Sequence, residues 1–252
     1  MAVLTLERPR PSRRALLLLG VGTVLLAVGA LLLHWWMTPG VALDVYRAGP
    51  LLRPWTAWLQ QERRWKAEGL SREVRHTYVP LQRISLELQA AVLVAEDLDF
   101  FGHGPVDLSA VHEAVRDYWR GGRLRGASTL SQQLAKNLFL DDERTFDRKL
   151  REARLAWWLE HELGKRRVFE LYLNVVVFAP GVLGAEAAAR HYYREPAAAL
   201  TPEQAAGMAA ALPSPGVDNP RTDSPRWRQR RDVVLRRMRH VSWLRQTLLD
   251  LQ

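Results

Sequence analysis

The chain contains no cysteine. Disulfides, a thiolate nucleophile and thiolate-ligated zinc are therefore excluded. An oxidising compartment is compatible with that absence but is not demanded by it. Lysine is nearly missing too: of 36 basic residues only Lys66, Lys136, Lys149 and Lys165 are lysines. No segment alternates apolar and polar residues over a strand's length, and none repeats, so a β-rich or solenoid architecture is not expected. What remains is 252 residues, 48% hydrophobic and 25% charged, enough for one folded domain and an appendage.

The longest apolar run supplies the appendage. Ala15 to Leu33 carry no charge, and as a helix those residues would be about 28 Å long, close to the hydrocarbon thickness of a bilayer. Arg8, Arg10, Arg13 and Arg14 precede the run, and Trp35 and Trp36 follow it. Positive charge on the short N-terminal side predicts a cytoplasmic N-terminus, with the tryptophans at the opposite interface. A cleaved signal peptide would have a shorter apolar region and a small-x-small site. This one runs on into Leu31-Leu32-Leu33-His34-Trp35-Trp36. An uncleaved anchor is the expectation, with the rest of the chain outside the cytoplasm. The net charge of +9 would by itself suit nucleic acid, anionic lipid or a phosphate-bearing substrate. Export sets nucleic acid aside, and membrane lipid fits best. Much of the excess lies in residues 225–240, a basic helix that is solvated or turned toward lipid.

The organisation expected is a basic N-terminus (1–14), a transmembrane anchor (15–36), an aromatic-rich connector (37–71), a folded domain (72–240) and a C-terminal tail (241–252). In the domain, Leu88, Ala91, Val92 and Ala95 recur at i, i+3, i+4, i+7, with Ser85 as N-cap, so a helix ends near Glu96. A loop rich in Gly and Arg, with Arg123 and Arg125, precedes a second helix starting near Ser128. A third runs from about Phe146 and stops at Gly164, and another holds residues 166–174. Thr201 with Gln204 reads as a capping box, Pro202 as the first helical residue, and Pro213 as a terminator. The fold class expected is mainly α.

Three stretches carry chemistry. Glu96 sits at a helix C-terminus beside Asp97; the negative end of the helix dipole and the like charge would both raise its pKa toward a general base's range. A helix-end carboxylate facing water fits the same residues. Thr129, Gln133 and Lys136 fall on one helical face, opposite Leu130, Leu134 and Leu138. That face offers hydroxyl, amide and ammonium, which bind oxygens, although an ordinary amphipathic helix has the same spacing. Arg148 and Glu152 stand at i, i+4, either as a surface ion pair or with Glu152 orienting cations that grip phosphate, joined by Lys165 and Arg166.

Taken in order, these stretches resemble a known family. Glu96-Asp97-x-x-Phe100-x-x-His103, Gly126-x-Ser128-Thr129-x-x-Gln132-Gln133-x-x-Lys136-Asn137, Arg148-Lys149-x-x-Glu152 and Glu170-x-Tyr172-Leu173-Asn174 resemble the ordered motifs of the peptidoglycan glycosyltransferases. These are the glycan-polymerising domains of class A penicillin-binding proteins and the stand-alone monofunctional transglycosylases. Residues 181–193 and 212–231 extend the likeness, and the chain resembles the monofunctional type. The resemblance implies a lysozyme-like helical domain on one inner-membrane anchor, facing the periplasm. It also implies polymerisation of lipid II into β-1,4-linked glycan with inversion and release of undecaprenyl pyrophosphate. Glu96 matches the family's catalytic base, and Glu152 its second, donor-side glutamate. Asp97, Phe100 and His103 match residues shaping the first site. Ser128, Thr129, Gln133, Lys136 and Asn137 match the donor-site helix, with Lys136 and Arg148 suited to pyrophosphate. No cofactor is required; Mg or Mn is compatible with the pyrophosphate, but no metal-ligand spacing calls for it. Implied partners are lipid II, the growing lipid-linked strand, membrane lipid and cell-wall synthesis proteins. Pro105, Val177 and Ala179 depart from the family pattern. Pro105 and Ala179 favour the alternative of a non-catalytic scaffold in a cell-wall complex. A glycan-cleaving enzyme is a further alternative, for which a pyrophosphate cradle has no use.

Overall fold

The structure, a computed structural model, describes residues 13–50, 55–69, 73–109, 112, 116, 128–141 and 145–251. Arg8, Arg10 and the loop with Arg123, Arg125 and Gly126 lie outside them. The chain forms two compact units, one ending at Ala42 and one beginning at Leu43.

The first unit is built on helix α1, Arg13–Met37, about 37 Å long at the α-helical rise. Its stretch from Gly20 to Met37 has a mean hydropathy of 1.7, and Leu25, Leu26, Leu31 and Leu32 are exposed. It is long and apolar enough to cross a bilayer. At its end Thr38 Oγ1 donates to the His34 carbonyl, and Trp35 stands beside Trp36.

The second unit is mainly α-helical. Its described helices are α2 (Thr56–Ala67), α3 (Leu86–Glu96), α4 (Leu130–Phe139), α5 (Phe146–Val175), α6 (Ala185–Tyr193), α7 (Pro202–Ala211), α8 (Pro225–His240) and α9 (Ser242–Asp250). Three short strands, β1 (Arg75–His76), β2 (Val177–Ala179) and β3 (Val182–Leu183), form a sheet in the order β1-β3-β2. The β1–β3 pair is parallel and the β2–β3 pair antiparallel. Helix α4 packs along α5, and α3 packs on α7, α8 and α9. A cleft lies where these two groups meet.

Local chemistry sets the helix ends. The Ser85 hydroxyl accepts from the Leu88 N–H at the start of α3, and Thr201 with Gln204 closes a capping box on α7. Leu88, Ala91, Val92, Leu93 and Val94 are all buried, so α3 is enclosed on more than the one face that the periodicity marks. Gly164 breaks α5 with φ 73°, a backbone state open to glycine.

Two segments read as appendages are parts of the compact unit. From Leu43 the expected connector folds onto it: Trp55, Ala57, Gln61 and Trp65 are buried, and Thr56 Oγ1 donates to the Leu138 carbonyl. The expected tail is α9, seated on α3 through Leu244 and Leu248. Both are amphipathic helices whose apolar faces find a tertiary partner.

Gly181 makes the docking of α2 possible. Its φ is +69°, and a Cβ there would stand 1.7 Å from the Trp65 ring. The Gly181 N–H also donates to Gln61 Oε1 at 3.1 Å. Gly181→Ala combines left-handed strain with overpacking, together about 2–5 kcal/mol. A clear fall in the thermal midpoint of the full chain in detergent is expected, and an unchanged midpoint would contradict this packing.

Deeper in the unit, Glu170 and Asn174 of α5 hold the strand-to-α3 connection. Tyr78 Oη donates to Glu170 Oε1 at 2.5 Å, and the Leu81 N–H to Oε2 at 2.9 Å. Asn174 pairs with both backbone groups of Val79. Arg167 is ion-paired with Glu170 and donates to the carbonyls of Tyr46 and Gly49.

Candidate active site

Helix α3 delivers Glu96 half-buried at its last turn. The nearest fixed donor is Gln133 of α4, whose Nε2 lies 3.0 Å from Glu96 Oε2. Burial raises the Glu96 pKa; the Gln133 hydrogen bond pulls it down, and the Asp97 charge adds to the rise. The sequence reading rested on the dipole and Asp97; burial is the larger cause and depends on the tertiary fold.

Asp97 is a clamp. Its Oδ1 lies 2.6 Å from His103 Nε2, and its Oδ2 accepts the Leu130 N–H at 2.9 Å. It thereby ties the end of α3 to the following loop and to the start of α4. The other ring nitrogen of His103 lies 2.6 Å from the Gly104 carbonyl. Two acceptors face the ring, so the imidazolium fits. Burial works against that charge, but the Asp97 and Gly104 contacts outweigh it and the His103 pKa is raised. Phe100 is fully buried, its ring near Phe101 and Phe169 and beneath the Lys165 ammonium at 4.3 Å.

Thr129 is also structural. Its Oγ1 caps α4 by accepting the Gln132 N–H, and donates to the Pro105 carbonyl at 2.7 Å. Pro105 thus joins this bracing through its carbonyl, and Ala179 is buried in β2. Neither lines the cleft. Asn137 is half-buried on α4, and it too is absent from the cleft lining.

The cleft itself has a volume of about 610 Å³ and gathers Glu96, Ser128, Gln133, Lys136, Arg148 and Glu152. Gln132 and Lys149 join them, with Ala95 and Pro213 as apolar wall. Glu152 is only 3% exposed, so its pair with Arg148 is no surface ion pair. It also accepts from Lys149 Nζ at 2.7 Å, and the same ammonium donates to Ser128 Oγ at 2.7 Å. Burial lowers the Lys149 pKa, and Arg148 and Lys136 lower it further. Two cations pair with the buried Glu152 carboxylate and a third, Lys136, lines the same cleft, so the positive charge exceeds the negative and favours another anion. Lys149 is the residue that sequence reasoning left without a role; its i, i+3 spacing to Glu152 was the available signal.

Lys165 and Arg166 do not join this group. Lys165 pairs with Glu160 at 3.0 Å, and Arg166 Nε donates to the Leu251 carbonyl at 2.5 Å. Among the described residues no three His, Asp or Glu side chains gather as metal ligands, and the Glu152 oxygens face cations. This donor set does not fit a dedicated metal site. It suits an anionic group bound by ammonium and guanidinium.

Comparison with known proteins follows the same line. The family described as Transglycosylase matches residues 63–239. A biosynthetic peptidoglycan transglycosylase of Aeromonas hydrophila is 45% identical over 231 residues, 92% of this chain and 93% of the relative. One of Methylobacillus flagellatus is 51% identical over 143 residues, 56% of this chain and 62% of that protein. One of Neisseria gonorrhoeae is 42% identical over 179 residues, 70% of this chain and 76% of the relative. With its mainly helical domain, its Glu96 cleft and a match over most of its length, the chain belongs to the transglycosylase family.

Proposed function

We propose that this protein polymerises lipid II into β-1,4-linked peptidoglycan strands by inverting glycosyl transfer. The observation that carries the reading is a half-buried carboxylate with a raised pKa sharing one cleft with a cationic group. In the reaction the acceptor 4-hydroxyl oxygen forms a bond to the donor's anomeric carbon. Glu96 accepts the hydroxyl proton as general base. The bond from that carbon to the pyrophosphate oxygen breaks, and undecaprenyl pyrophosphate leaves. Because the α-linked donor becomes a β linkage, base and leaving group act on opposite faces of the sugar. Lys136, Arg148 and Lys149 stabilise the charge growing on the pyrophosphate, and Glu152 holds Arg148 and Lys149 toward it. Ser128 and Gln133 orient the substrate, and Asp97, Phe100, His103, Thr129 and Asn137 brace the walls. Helix α1 supports a single-pass membrane anchor. The arginines that precede its apolar run support a cytoplasmic N-terminus with the domain periplasmic, which suits a lipid-linked substrate at the inner membrane.

The test uses the full-length protein in detergent with radiolabelled lipid II. Wild type is expected to yield long, lysozyme-sensitive glycan, and Lys136→Met to lose roughly a hundredfold in kcat/KM. Cleavage of preformed glycan, with lipid II untouched, would replace this reading by the lytic one. Folded protein inert toward both would favour the scaffold.

A further inference from the structure

Glu96 must be ionised to act as a base, yet burial favours its neutral form. Several charged groups surround it. Asp97 lies at the end of its own helix, Arg230 reaches it from α8, and Lys136, Arg148, Lys149 and Glu152 line the cleft. The contact that favours ionisation by direct hydrogen bonding is Gln133 Nε2 at 3.0 Å. An amide can present either end. Its NH2 only donates and therefore favours the carboxylate; its oxygen only accepts and therefore favours the protonated acid. Something must choose between the two.

The choice is made from the far side of the amide. Tyr172 of α5 is fully buried, and its hydroxyl lies 2.9 Å from Gln133 Oε1. Burial, then the negative charges of Glu96 and Asp97, holds the Tyr172 pKa well above its ordinary value. The phenol therefore stays protonated throughout any working range. In the geometry seen it donates to Oε1, which turns Nε2 toward Glu96.

We propose that Tyr172 is a positioning residue for catalysis: its buried hydroxyl locks the Gln133 amide in the orientation that keeps Glu96 a carboxylate. It touches no substrate and acts through Gln133 alone. The inference rests on the reading of Glu96 as general base. Tyr172→Phe keeps the ring and frees the amide to turn.

The experiment measures kcat/KM for lipid II polymerisation against pH in full-length wild type, Tyr172→Phe, Gln133→Leu and the double variant. In wild type the rate rises with pH as Glu96 ionises. In Tyr172→Phe that acid limb is expected to move up by about one pH unit, a tenfold loss on the limb, with the high-pH plateau largely kept. Gln133→Leu, which leaves the buried ring in place, moves the limb the same way even if Tyr172→Phe does not fold. Because Tyr172 acts through Gln133, the double variant moves it no further than Gln133→Leu does. An unmoved limb in Tyr172→Phe, a uniform loss at all pH values, or additive shifts would each overturn the proposal. An inactive wild type would instead overturn the polymerase reading, so the two failures are distinguishable.

Discussion

Glu96→Gln is expected to leave a folded protein that has lost roughly a thousandfold of its polymerising rate, the order a general base supplies. The replacement keeps the size and the polar contact to Gln133, so the loss reports the missing proton acceptor rather than a collapsed cleft. Stability should move the other way. The Glu96 pKa is raised in the folded state, so between the ordinary carboxylate value and that raised value the folded chain binds more protons than the unfolded one. Stability therefore falls as pH rises through that window, and the ionised carboxylate is a standing cost above it. Removing it should leave the thermal midpoint of Glu96→Gln at or above that of wild type near pH 7, with the difference closing below the ordinary carboxylate value. Thermal scans at pH 4 and pH 7 beside the lipid II assay test both halves. A variant that is both inactive and less stable at pH 7 would mean that Glu96 supports the fold, and the assignment as base would lose its footing.

Sequence alone reveals those features whose causes are local. Ser85, Thr201 with Gln204, and Gly164 act within a few residues of their own positions, and each appears where the pattern puts it. Glu96 is legible as a helix-end carboxylate; its burial is not, because α4, α5 and α8 supply it. Thr129 shows the ambiguity of a periodic stripe: the same residue fits a binding face and an N-cap, and the fold uses its side chain as the cap. Helices α2 and α9 hide as connector and tail because their apolar faces acquire meaning only against Gly181 and α3. The Tyr172–Gln133 contact spans 39 residues of sequence, and no spacing rule reaches that far.

Glu170→Ala is expected to be the most destabilising of the single changes considered, and it touches no part of the cleft lining. Glu170 is 5% exposed and receives the Tyr78 hydroxyl, the Leu81 N–H and the Arg167 guanidinium. Removing it orphans a buried N–H and leaves Arg167 without its carboxylate, a loss of about 3–5 kcal/mol for a broken buried pair. For a unit of this size that corresponds to roughly 10 °C in thermal midpoint. Glu170→Gln, which keeps an acceptor for Tyr78 or Leu81, should lose less. The pH dependence separates the two glutamates. Burial alone would raise the Glu170 pKa, but its hydrogen bonds from Tyr78 and Leu81, together with Arg167, outweigh burial and hold it below its ordinary value. Its contribution is therefore present above the unfolded carboxylate value and is lost as pH falls through the lower folded value. The deficit of Glu170→Ala should be full at pH 7 and shrink in acid, opposite in sign to the gain expected for Glu96→Gln. The two carboxylates lie in one helical unit, and their environments push them in opposite directions. Glu170 is held ionised to fasten the chain around α5, whereas burial raises the Glu96 pKa and makes its carboxylate a stronger base.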